Sequence, residues 1–157
     1  VILLALPPRR YSLPNPRQRI PMDDQRGEFR FTPPNRGWIK VFGRVSEEQV
    51  SEVLRGAVDA SVGLPYFLME VDISEMEGAT PEARRVSAKF FHQMPPLAFA
   101  VLGGTFAQRT IAKLVLKASE MLLKDNKQVS AFFSDHESAD KWLETRAKHF
   151  ETHGRFK

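Results

Sequence analysis

The side chains whose types and spacing could do chemistry gather at two places that read as strand ends. Ser74, Glu75 and Thr80 follow one apolar run, Gly103, Gly104 and Thr105 follow another, and each group precedes a helical pattern. Ligands of open α/β sheets bind where loops and helix amide ends converge at the carboxyl ends of parallel strands. Gly103-Gly104-Thr105 at a helix start can present amides to an anion, and Thr80 heads the preceding helix. The same Gly-Gly turn is more often only a turn, and it lacks the longer glycine pattern of a nucleotide loop.

Cations stand near both places. Arg84 and Arg85 fall in the first turn of their helix, where a positive charge opposes the helix dipole by about 0.3 to 1 kcal/mol each. Glu75, Glu77 and Glu82 are near enough in sequence to offset that, ahead of any external phosphate or carboxylate. Arg109, Lys113 and Lys117 recur every four residues along one helix face, which reads as a solvated stripe before it reads as a surface for an acidic partner.

Reactive constellations are otherwise scarce. The chain has no cysteine, which excludes disulfides, thiolate catalysis and cysteine-bound metal. His149 and His153 are four apart, as two metal ligands on one helical face would be, but Glu151 alone stands near as a third and the HExxH order is missing. His92 and His136 read as surface residues near helix ends, and the carboxylates Glu70, Asp72, Glu75 and Glu77 define no pair, because neighbouring strand residues alternate faces. No catalytic residue, cofactor or metal is expected.

The elements that must position these residues follow a repeated grammar. Trp38 to Val45, Tyr66 to Ile73, Leu97 to Leu102 and Val129 to Phe133 are short β-branched and aromatic runs, followed by Ser46, Thr80, Thr105 and Ser134 and then by apolar residues three and four apart. Glu28 to Thr32 and the turn formers Pro33 to Gly37 add an N-terminal hairpin. The order predicted is β-β-α-β-α-β-α-β-α, an α/β domain with a mixed, mostly parallel sheet of about five strands covered by about four helices.

Capping signals set the helix starts. Ser46 with Gln49, Thr105 with Gln108 and Ser134 with Glu137 read as capping boxes, and Thr80 as a cap with Pro81 at the first helical position. The inward stripes expected are Val50, Val53, Leu54, Ala57 and Val58; then Ala83, Val86, Phe90 and Met94; then Ile111, Leu114, Val115, Ala118, Met121 and Leu122; and last Ala139, Trp142 and Leu143. Tyr66 to Ile73, nearly all apolar, is expected at the sheet centre, and Ser74 to Ala79 as a loop after it.

At 157 residues the chain suits one domain. Its formal charge of +4 resides in the tail: residues 1 to 21 hold Arg9, Arg10, Arg17 and Arg19 and no acid, and subtracting those four from 23 basic residues leaves 19 against 19 acidic ones. A nucleic-acid surface on the domain is therefore not expected. Five prolines in the same segment predict disorder over residues 1 to 26, and Met22 is expected to be the natural start, with a basic tether for acidic lipid or RNA as the rival reading. Val1 to Leu6 is too short to span a membrane, and its arginines follow the apolar run rather than precede it as in a signal peptide, so a cytoplasmic location is expected. The domain is placed at residues 27 to 150 and a frayed terminus at 151 to 157.

The strand, acidic stretch and cap VDISEMEGATPEAR and the closing VSAFFSDHESADKWL resemble the SpoIIAA-like branch of the STAS (sulfate transporter and anti-sigma-factor antagonist) superfamily, over about Phe29 to Leu143. The resemblance implies a β-α fold shared in outline with lipid-carrying CRAL-TRIO domains and a non-enzymatic role in protein interaction or small-ligand binding. In sigma-regulating members a phosphorylated serine opens the helix after this strand. Here Thr80-Pro81-Glu82-Ala83 occupies that place, so the phosphoacceptor is replaced and the partner switch does not carry over. A phosphate on Thr80 would compete with its use as a cap.

The function expected is a non-catalytic STAS-like regulatory or interaction module with a protein partner, working through Ser74 to Thr80, Gly103 to Thr105 and the helix from Pro81. The alternative is a carrier of a small anion or lipid. Phe90, Phe91, Phe99, Phe132, Phe133 and Trp142 could line a lipid pocket, but a domain this small needs them to fill its core.

Overall fold

A computed structural model describes residues 27–122 and 128–156. The tail and its expected disorder lie outside the described residues. Five strands form one sheet in sequence order: β1 (Glu28–Thr32), β2 (Arg36–Val45), β3 (Phe67–Ala79), β4 (Leu97–Leu102) and β5 (Gln128–Phe133). β1 is antiparallel to β2 and all other pairs are parallel, with the apolar β3 at the centre.

The helices are α1 (Glu47–Ser61), α2 (Pro81–His92), α3 (Phe106–Leu122) and α4 (His136–His153). Alternation along the strands decides what each covers. Phe67, Met69, Phe99 and Val101 point into a core closed by α1, α2 and α3, whereas Leu68, Ala98, Ala100 and Val129 point into a second core closed by α4.

β3 does not stop at Ile73. It stays paired to β2 as far as Val45↔Ala79, past two register shifts, so the expected loop is a strand extension. Ser74, Glu75 and Glu77 are exposed and Met76 alone is buried there, a polar composition that mimics a loop. The Gln49 side chain accepts from Phe42 N at 3.0 Å and donates to Phe42 O at 3.2 Å, satisfying the bulged backbone. Ser46 caps α1 by accepting from Gln49 N, so Gln49 reaches the bulge in place of the return half of a capping box.

α1 buries Val50, Val53, Leu54 and Ala57 as expected, and α2 buries Ala83, Ser87, Ala88 and Phe91, with Val86 and Phe90 half-buried. α3 departs further. Leu116 is 7% exposed and Ser119 is buried, with Ile111, Ala112 and Val115 beside them, while Phe106 (88%), Met121 (78%) and Leu114 face solvent. Tethers at its start set this rotation: Gln108 Nε2 donates to Met76 O, and Arg109 donates to Gly103 O and Phe133 O.

The last helix also corrects two expectations. Its cap is Asp135, whose Oδ1 accepts from Ser138 N at 2.8 Å, one residue beyond Ser134. Through residue 156 the chain is not frayed: Gly154 closes α4 in the left-handed conformation at φ 66°, and Phe156 returns to 2% exposure, its ring 5.0 Å from Phe150 and 5.9 Å from Tyr66.

Candidate functional site

The two strand-end segments do meet. Gly103, at φ 77°, passes so close that a Cβ there would lie 3.0 Å from that of Ser74, and Gly104, at φ 92°, would place one 2.9 Å from Ile73 Cδ1. Their polar groups are committed to the fold, however. Gly103 N donates to Phe133 O at 3.0 Å, and Thr105 and Gln108 form the full reciprocal capping box. Arg109 is drawn to carbonyl oxygens, at 3.3 Å from Gly103 O and 3.4 Å from Phe133 O, with Phe132 beneath its guanidinium.

On β3 the Ser74 hydroxyl and amide both donate to Asp72 Oδ1, at 2.6 and 2.9 Å. Glu75 pairs with Lys40 at 2.6 Å, and the hydrogen bond to Glu75 is the main reason the Lys40 ammonium is held above its ordinary pKa. Thr80 caps α2, accepting from Ala83 N at 3.1 Å.

Arg84 is placed differently. It lines a cavity of about 100 Å³ between the sheet and the layer of α1, α2 and α3. Small side chains leave this space: Ala79, Ala83, Ser87 and Ala112 stand where longer ones would reach from α2, α3 and the end of β3 toward Met69 and Val101. The walls are otherwise aliphatic and aromatic, and the Ser87 hydroxyl is turned to Ala83 O at 2.8 Å.

Sequence reasoning missed a second group, on the face that carries α4. Glu70 is 4% exposed in the middle of the sheet, and its Oε1 lies 2.8 Å from Nδ1 of His136 at the start of α4. That hydrogen bond, followed by the charge of Glu70, raises the His136 pKa. Arg36 pairs with Asp140, and Lys40 reaches Asp72 at 3.7 Å. Glu70 and Asp72 are two apart and share a face, which the alternation rule allows; His136 is 66 positions from Glu70, a distance no local pattern spans.

Among the described residues, no three or more His, Asp or Glu side chains are arranged to hold a metal ion, and His149 and His153 stack on each other at 4.3 Å. No helix among them is long and apolar enough to cross a membrane.

No family model matches the chain, and no curated protein matches it. Among solved structures it is similar to an uncharacterised DUF3478-family protein from Shewanella loihica PV-4, described as having a SpoIIAA-like fold, with a TM-score of 0.55 and 17% identity over 74% of this chain and 91% of that one. Strand order, helix placement and this neighbour agree, and the fold of the chain is SpoIIAA-like.

Proposed function

We propose that this chain is a non-catalytic, cytoplasmic STAS-like binding module that holds a small apolar ligand between its sheet and α1, α2 and α3. The observation that carries this reading is the cavity. The ligand is small: the cavity of about 100 Å³ falls below the ~300 Å³ of ordinary drug-sized sites and near the ~150 Å³ of cavities that take benzene. A long lipid tail does not fit it.

Its non-catalytic character is favoured by the state of the ionisable groups that the fold gathers. Glu70 with His136, Arg36 with Asp140, and Lys40 with Asp72 and Glu75 are partnered with one another across the sheet and α4. A thermal-shift titration with 1-hexanol tests the reading. A gain in Tm that grows with concentration, and that is abolished by filling the space with Ala112→Leu, is expected; no gain contradicts it.

A second reading, regulation through a protein partner, is favoured by the solvent-facing Phe106, Leu114 and Met121 on α3. The same helix lines the cavity with Ile111, Ala112 and Val115, so a ligand inside and a partner outside would act on one element. Loss of partner binding in Phe106→Lys with Met121→Lys, retained in Arg30→Ala, tests it.

A further inference from the structure

Arg84 is the one charged residue among those lining the cavity. The cavity surface is almost wholly apolar, so the part of Arg84 that faces it is the methylene stem, and a long cationic side chain with a buried stem carries its charged end outward to the rim. Its neighbour Arg85 pairs with Glu82 at 3.8 Å and Lys40 takes Glu75, which removes two of the carboxylates nearest in sequence. Among the described residues the Arg84 guanidinium makes no hydrogen bond or ion pair, although it sits in the first turn of α2, where the helix dipole favours an anion.

From this juxtaposition of an apolar cavity and an unpaired guanidinium at its rim, we propose that the ligand is a short aliphatic carboxylate, its tail in the cavity and its head group on Arg84. This deepens the cavity reading and rests on it. The planar guanidinium fork matches a carboxylate bidentately, and a single arginine neutralises a single negative charge. The cavity volume limits the tail to a short chain. The aliphatic part supplies burial and the head group supplies discrimination, because a neutral isostere leaves the guanidinium unpaired.

Calorimetric titration of the full chain with sodium hexanoate and with 1-hexanol, at matched ionic strength, separates the two ideas. Hexanoate is expected to bind about tenfold more tightly, equivalent to about 1.4 kcal/mol. The preference is expected to vanish in Arg84→Met, which removes the guanidinium from an unbranched stem, and to survive in part in Arg84→Lys. Equal affinities in the unmodified protein, or a preference that persists in Arg84→Met, overturns the carboxylate assignment while the cavity reading stands. Hexanoate binding that survives Ala112→Leu overturns it too, since the head group would then bind without the tail. If neither probe binds, the cavity reading falls and takes the assignment with it.

Discussion

His136 Nδ1 lies 2.8 Å from Oε1 of Glu70, joining the exposed start of α4 to a carboxylate buried at the centre of the sheet. Glu70 faces the histidine from β3, Arg36 from β2, Asp135 from the cap position before α4 and Asp140 from α4 itself. The histidine gains a partner on folding, so its pKa is raised above the ordinary 6.5. The stabilisation is complete below that unfolded value and is lost as pH rises through the higher folded one. Urea denaturation from about pH 5.5 to 8.5 is expected to show stability falling across this window, and His136→Asn is expected to flatten the fall. An unchanged slope in the variant contradicts the pairing.

The contact of Gly103 with Ser74 makes a second test. Gly103→Ala meets a left-handed backbone at φ 77° and a Cβ contact of 3.0 Å, and is expected to cost roughly 1–2 kcal/mol. Gly78→Ala meets open space and is expected to stay within about 0.5 kcal/mol. Equal losses by chemical denaturation would mean that the two strand ends do not meet as described.

The rotation of α3 has its own readout. Leu116→Ala, at a buried position, is expected to cost about 2–5 kcal/mol. Leu114→Ala, on the solvent face, is expected to cost less than about 0.5 kcal/mol. The reverse order would restore the stripe that the spacing of Leu114, Ala118 and Met121 implies.

At the other end of the chain, Phe156→Ala removes a ring packed on Tyr66 and Phe150 and is expected to cost about 3–5 kcal/mol. No change in the denaturation midpoint would return residues 151 to 156 to a frayed segment.

These contrasts show what was legible in the amino-acid order. Local signals carried far: among the described residues the alternation of apolar run, cap and helical stripe placed four strands and four helices, the turn formers Pro33 to Gly37 added the first strand, and Thr80 and Thr105 cap as their spacing implies. Signals that depend on tertiary partners did not carry. Ser74 to Ala79 looks like a loop because its polar residues face solvent, yet β2 holds it as strand. Leu114 and Met121 look like core because they are apolar and suitably spaced, yet Gln108 and Arg109 turn them outward.

The site divides in the same way. Arg84 was conspicuous from its position alone, a cation in a first turn, and Gly103 and Gly104 do meet Ser74 and Ile73 at one end of the sheet, where Ser74 is bonded to Asp72, Glu75 to Lys40, Thr105 to Gln108, and Gly103 and Arg109 to backbone carbonyls. The cavity was not readable, because it results from small residues on α2, α3 and the end of β3 facing one another across sequence separations that no pattern links. Glu70 and His136 were each visible but not their meeting.

The central claim is that the space beneath α1, α2 and α3 admits a small apolar molecule. Diffraction from crystals equilibrated with xenon under pressure measures this most directly, because a dry apolar cavity binds the gas without any polar anchor. A xenon peak among Met69, Val101, Ile111 and Phe99 is the expected result. A refined structure in which these side chains close on one another, with no xenon between them, would contradict the claim.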